Sequence, residues 1–381
     1  MISGIFVITT VDGYGADKSI LDNIVFLKSK RLLAPFVIIP KSGPIEQSLK
    51  AAEIEYVIAK ITSWTKGPRF SKLLVIKRSL KIILNLLSIV LVFFKQYRNL
   101  KNKNFVHTNT FTTNYGIILA KILKIKHFMH LREIPFEQFR FEYEFKEEKL
   151  YKYVVQNTSA FLANSIYTTN YFRERLIGAN ISYVPNPIFI NSTNRDLKRT
   201  EISEVVEFIL LGRYEDAKNQ MDALEACNIL KGRGVTKFQL NLFGSGINYA
   251  LYKDFIKEKD LNKWVKLNGF NHSIRDRLSS FDVGLMTSRY EAFGRVTVEY
   301  FKSGLAVIAN ETGNSPYLVK DNLNGLIYEF GNPESLSDKM TSLIENRERI
   351  VEMGSYAIEN SVDEFSIENS SVALELFLNR S

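Results

Sequence analysis

Short apolar runs rich in β-branched and aromatic residues alternate with amphipathic stretches along the whole chain. That alternation limits the fold more than any other feature of the sequence. Gly4–Thr10 is a strand-like run, and a turn carrying Gly13 and Gly15 follows it. Ile20, Ile24 and Leu27 then recur at the i, i+4, i+7 spacing of a helix. Further strands are predicted at Phe36–Ile39, Tyr56–Ala59, Phe105–Thr108, Phe128–Leu131, Phe161–Ala163 and Ile181–Val184, most of them trailed by helical stretches. Strands separated by helices imply a parallel sheet covered on both faces.

The pattern pauses at Val184-Pro185-Asn186-Pro187 and in the polar stretch Asn191–Ser203, which reads as a linker. It then restarts, with strands predicted at Glu207–Leu211, Phe238–Leu242, Val265–Leu267, Val283–Met286, Ala306–Ala309 and Leu326–Tyr328. The expected class is therefore α/β, with two Rossmann-like domains (1–187 and 188–360) whose strand carboxyl ends face a central cleft. A terminal helix over 361–381, carrying Phe365, Leu374 and Phe377, is expected to return to the first domain. The 381 residues, 45% of them hydrophobic, are enough for two sizeable cores. The lone Cys227 allows no internal disulfide and suits a reducing compartment. The first ten residues read as a strand, without the basic start of a signal peptide.

Charge is divided unevenly. Residues 1–185 carry 27 Lys/Arg against 13 Asp/Glu, and residues 186–381 carry 23 against 28. No acidic residue lies between Glu55 and Glu133, a window holding fifteen basic ones. Such a half attracts an anionic partner, or else presents solvated basic faces. Within it, segment 66–103 has two readings. The favoured one is a helix buried in the first domain with Lys77, Arg78, Lys81, Lys95 and Arg98 at its edges. The other is a membrane-surface element built on the apolar Ile82–Phe94.

The most informative stretch is Phe281–Gly325. A strand ends at Met286, a loop carries Glu291, and Gly294 opens a helix that Gly304 ends. Backbone N–H groups at a helix start favour anions, so Gly294 to Val296 suits a diphosphate. Glu291 precedes that helix and Glu299 lies inside it. Carboxylates are double acceptors, suited to the vicinal hydroxyls of a sugar or ribose.

The same stretch resembles the donor-binding signature of retaining glycosyltransferases of family 4, which have the GT-B fold. Ser288, Glu291, Phe293, Gly294, Glu299, Ser303, Gly304, Val307 and Ile308 stand at the signature positions. The resemblance implies that Glu291 contacts the donor sugar and Glu299 the ribose, with Ala292 and Arg295 in the same loop-to-helix junction. Gly212-Arg213 and Lys218 resemble the family's Gly-Arg and Lys that neutralise the donor diphosphate. A departing diphosphate gathers negative charge, which fixed cations stabilise without a metal. Gly244 falls in a turn that resembles the family's Gly-x-Gly turn, and Phe270 in one that resembles the family's turn near the base. In the first half, Gly15 resembles part of the glycine loop at the donor phosphates. His130 falls where many members carry a strand-end histidine, and by itself it reads as a structural one. Two stretches depart from the pattern. Gly313-Asn314-Ser315-Pro316-Tyr317 stands where the family often has Gly-Gly and then Glu, so the second glycine and the Glu are absent, and Leu131 stands where Asp often follows the histidine.

The expectation is a metal-independent, retaining hexosyl transfer from a nucleotide-sugar, a UDP-sugar rather than a GDP-sugar, to a glycan or lipid-linked acceptor. Catalytic candidates are Glu291, His130, Arg213 and Lys218. No cofactor, metal or nucleic acid is expected, and the four histidines form no ligand pattern with Cys227. A bacterial enzyme of polysaccharide assembly fits, cytoplasmic and at the inner face of the membrane. The alternatives are a nucleotide-sugar epimerase or hydrolase of the same fold, and a non-catalytic polyanion- or membrane-binding protein.

Overall fold

The computed structural model describes residues 1–11, 15–66, 74–134, 136–137, 142–189 and 203–380. Gly13 of the first loop, Arg69, Lys72 and most of the expected linker fall outside these residues, as do the side chains of Lys66, Lys77 and Arg78. The chain divides into two compact units. One is Met1–Pro187 with Ser366–Ser381, and the other is Ile188–Phe365.

The first unit holds β1 (Ile2–Val7), β2 (Leu33–Ile39), β3 (Glu55–Ile58), β4 (Thr65–Lys66), β5 (Phe105–Thr108), β6 (Lys126–Leu131), β7 (Glu142–Tyr143), β8 (Ala160–Ala163) and β9 (Ile181–Tyr183). Seven of them form one sheet in the order β3-β2-β1-β5-β6-β8-β9, with every pair parallel. The strand alternation sorts side chains to two faces. Phe6, Val37 and Ile39 join one core, while Ile5, Val7, Phe36 and Ile38 join another. β1 stops at Val7, short of the expected Thr10, because the Thr10 N–H and hydroxyl turn to the Asp17 carboxylate. The antiparallel pair β4–β7 was not predicted, since two residues per strand carry no periodicity.

The helix Ile367–Arg380 closes the first unit from the far end of the sequence. It packs on the helix Gly15–Ser29, with Leu374, Phe377 and Leu378 entering the core of Phe6, Ile20 and Ile24. Asn23 donates to Ser370 at 3.0 Å and accepts from Ser371 at 2.7 Å.

The helix Leu74–Leu100 corrects the favoured sequence reading. Its buried side holds Asn85, Ser88, Ile89 and Val92, while Ile83, Leu87, Leu91 and Phe94 are exposed. An all-round apolar helix reads as buried, but here the polar positions are the ones hydrogen-bonded to the domain. Asn85 accepts from the Thr62 N–H and donates to Asn114, and Ser88 meets the Tyr115 hydroxyl.

The second unit holds β10 (Val206–Leu211), β11 (Phe238–Phe243), β12 (Val265–Leu267), β13 (Val283–Met286), β14 (Ala306–Asn310) and β15 (Gly325–Tyr328). They form one parallel sheet in the order β12-β11-β10-β13-β14-β15. The strand order reverses between β10 and β13, and in the first unit between β1 and β5. Loops leaving the carboxyl ends of strands at such a reversal are where ligands bind in open α/β sheets.

Candidate functional site

Most of the residues singled out from the second half sit on loops leaving those carboxyl ends, the helical Arg295 and Glu299 apart. Lys218 follows β10 on a short 3-10 turn, and Glu291 follows β13. Their side chains form an ion pair at 2.6 Å, with Lys218 28% and Glu291 12% exposed. Backbone bonds lock the two loops together. Arg289 N–H donates to the Ala217 carbonyl at 2.9 Å, and Thr287 Oγ1 donates to the Lys218 carbonyl at 2.8 Å.

The loop after β14 braces the same spot. Asn314 N–H donates to the Glu291 carbonyl at 2.8 Å, and Asn314 Nδ2 donates to the Phe293 carbonyl at 2.7 Å. Asn314 departs from the family pattern, and its amide does the bracing. Gly313 has φ +59°, and a Cβ there would lie 2.7 Å from the Glu291 backbone N and O, so only glycine fits. Gly294 has φ +87° and caps the helix Arg295–Lys302 in the left-handed region.

Glu299 is 1% exposed and lies in that helix. Its two oxygens accept from Arg275 Nε and Arg295 Nε, each at 3.0 Å. The sequence reading offered Glu299 to a ribose and missed Arg275, which stands on the 3-10 helix His272–Ser280. No sequence spacing links Arg275 to Glu299. A carboxylate has about four acceptor positions, so two arginines leave capacity for a hydroxyl.

Several expected residues are placed differently. Arg213 is 71% exposed at its side chain and pairs with Glu215 at 3.1 Å. The Ala292 and Phe293 side chains are buried. Phe293 packs edge-on to Phe365 at 5.7 Å beside Ile188 and Val298. Its ring anchors the loop, and only its backbone is left for a ligand. Gly244 donates its N–H to the Gly269 carbonyl at 2.8 Å, and Phe270 next to it is 54% exposed.

In the first unit, Gly15 begins the helix Gly15–Ser29, and His130 is buried within β6. His130 lies one residue before the end of that strand, with its ring edge-on to His107 at 5.5 Å. Arg132 Nη2 lies 3.1 Å from His130 Nδ1. A guanidinium only donates, so Nδ1 accepts and the ring proton sits on Nε2, which has no hydrogen-bond partner among the described residues. Burial first, then the charge of Arg132, holds the His130 pKa well below its usual 6.5. Arg132 also bonds Asn109 and Asn186, and Asn109 reaches Asp17 at 2.7 Å. Glu133 accepts from the Thr110 hydroxyl and from the Phe111 N–H at 3.2 Å, and burial pushes its carboxyl up to about 7. Arg132, Glu133 and Asn109 were not singled out, although Glu133 ends the acid-free window.

Residues 193–360 match the family described as "Glycosyl transferases group 1". That match spans nearly all of the second unit. Across 207 residues, 51% of the chain, the sequence is 26% identical to an uncharacterised 41.2 kDa protein of the cps region of Klebsiella pneumoniae. Across 152 residues, 40% of the chain, it is 30% identical to a poly(ribitol-phosphate) alpha-N-acetylglucosaminyltransferase of Staphylococcus aureus. These matches cover 56% and 30% of the two relatives, so the chain spans about half their length or less. The fold is GT-B. Anabaena HepE, solved with UDP-glucose, superposes with a TM-score of 0.76 at 17% identity, covering all of both chains.

Proposed function

We propose that this chain is a group 1 glycosyl transferase that moves a hexose from a nucleoside diphosphate to a glycan or polymer acceptor, with retention at the anomeric carbon. The observation that carries the reading is the Lys218–Glu291 pair, held by three loops three residues ahead of the helix start at Gly294. The bond from the anomeric carbon to the diphosphate oxygen breaks, and a bond to an acceptor hydroxyl oxygen forms. The acceptor proton leaves with the diphosphate.

The protein's part is to stabilise charge on the departing diphosphate. Lys218, Arg213 and the N–H groups after Gly294 serve that role, and preorganised cations act without reorganising during the reaction. The donor competes for cations that rest on Glu215 and Glu291. Glu291 then takes the sugar hydroxyls and Glu299 the ribose. A UDP-sugar is the proposed donor, which the UDP-glucose complex of the structurally similar Anabaena protein supports. A surface polymer is the proposed acceptor class, which the poly(ribitol-phosphate) enzyme supports. The proposed place is the cytoplasmic side of a membrane.

The test is ligand-induced thermal stabilisation by UDP, UDP-sugars and GDP-sugars, in chelator, for wild type, Arg213→Ala and Glu299→Ala. A shift with the uridine series that both variants lose is expected. No shift with any nucleotide would overturn the reading.

A further inference from the structure

The helix Leu74–Leu100 is amphipathic in the wrong sense for a water-facing element. Asn85 and Ser88 are 2% and 7% exposed, while Leu87, Leu91 and Phe94 are 56%, 58% and 76% exposed. Ile83, Leu87, Leu91 and Phe94 follow one another at three- and four-residue steps, so they form one stripe, with Leu86 and Val90 along its edge. From Leu80 to Tyr97 this face runs about 26 Å at 1.5 Å per residue. Patches of contiguous apolar surface on this scale mark contact with a protein or a membrane.

Charge decides between them. The described part of the helix has no acidic residue, and Lys95, Arg98 and Lys101 are exposed around its carboxyl end. Lys121 on the next helix, Tyr115–Leu123, which packs against it, and Lys124 just after that helix are exposed too. A second copy docked on this face by two-fold symmetry would set these cations against their own images. An anionic lipid surface instead neutralises them while the stripe enters the acyl boundary.

The helix is also long and apolar enough, by length and composition, to cross a membrane. Its inner side excludes that. Ile89, Val92 and Leu100 are packed with Val7 and Phe36 of the sheet, and Asn85 is hydrogen-bonded to Asn114. We propose that this helix lies flat in an anionic membrane surface and holds the first unit there by its Ile83–Phe94 stripe.

The test needs neither donor nor acceptor. Flotation is measured with vesicles of equal parts phosphatidylglycerol and phosphatidylcholine, and with phosphatidylcholine alone. Wild type is expected to float with the anionic vesicles and to bind the neutral ones at least about tenfold more weakly. The Leu87→Glu/Leu91→Glu double variant is expected to lose anionic binding by at least about tenfold while keeping the wild-type melting temperature, because both side chains are exposed. A Phe94→Trp variant covers the case in which the double variant misfolds, since its fluorescence is expected to be quenched by bromine-labelled lipid. Failure of wild type to float with any vesicle would overturn the proposal. So would unaltered binding in a folded double variant, or an unquenched Trp at position 94. A concentration-dependent dimer abolished by Leu87→Glu, without vesicle binding, would assign the face to a second copy.

Discussion

Lys218 and Glu291 are each more than two-thirds hidden, so neither charge is well served by water alone. Lys218→Ala is expected to lower kcat/KM for the nucleotide-sugar by about 100-fold or more, the scale of removing one preorganised charge stabiliser. Its stability cost should stay near about 1 kcal/mol, because the pair keeps some solvent contact. Steady-state kinetics beside thermal melting separates the two, and a lower melting temperature with intact kinetics would make the pair structural. Glu299 presents a deeper case. Glu299→Gln leaves Arg275 and Arg295 without their counter-charge at a position 2% exposed. A loss of about 1–3 kcal/mol is expected in chemical denaturation, together with a weaker thermal shift by UDP. At Gly313, alanine meets both a positive φ and the Glu291 backbone. Gly313→Ala should cost about 1–3 kcal/mol and move Glu291, lowering melting temperature and turnover together.

Elements are held in place by contacts that span long sequence distances. The helix Arg295–Lys302 is fixed across the sheet by Tyr300, whose hydroxyl accepts from the Leu211 N–H at 2.9 Å and donates to the Ile209 carbonyl at 3.3 Å. Lys302, on the same helix, donates to the carbonyls of Ile188 and Phe365, the first and last residues of the second unit. The unit's two chain ends therefore meet at one ammonium group. At the other end of the sequence, Phe377 packs edge-on to Phe128 at 5.2 Å, although 249 positions separate them. Phe377→Ala is expected to cost about 3–5 kcal/mol. The loss should appear as early melting of the first unit, seen by hydrogen exchange in β1 and β6, with the second unit unchanged.

For the whole molecule, acid stability is set by three buried histidines. Burial holds His127 at about 3 and leaves His107 and His130 well below 6.5. The folded chain keeps these rings neutral while the unfolded chain protonates them below about 6.5. Their contribution is complete above that pH and is lost as pH falls, by up to about 1.4 kcal/mol per unit for each ring. Glu133, raised to about 7, acts in the opposite sense, because its folded form gains a proton as pH falls from 7 toward 4.5, and Asp17 is raised as well. Asp222 and Glu225 are raised by burial too, but among the raised carboxyls placed by value only Glu133 titrates within this range, so the three rings set the sign and melting temperature should fall between pH 7 and 5. His127→Gln, which replaces a ring bonded to Thr108 and Thr158, should flatten that slope.

Period and punctuation alone determined much of this protein. The strands of both large sheets and the presence of a terminal helix follow from alternating hydrophobicity and from where Pro and Gly interrupt it, because these are local properties of the chain, whereas the return of that helix to the first unit depends on packing against Phe6, Ile20 and Ile24. The residues of the loop before Gly294 were legible for the same reason, being close in sequence and set at a helix start. Tertiary structure alone decided which partners those residues meet. Arg275 reaches Glu299 from a separate 3-10 helix, and Phe293 turns into the core toward Phe365. His130 is buried against His107 and Arg132, and Asn85 turns inward while Leu87 turns out. Periodicity shows that a helix has an apolar stripe. Whether a neighbour covers that stripe depends on how distant elements pack, and no local pattern encodes that.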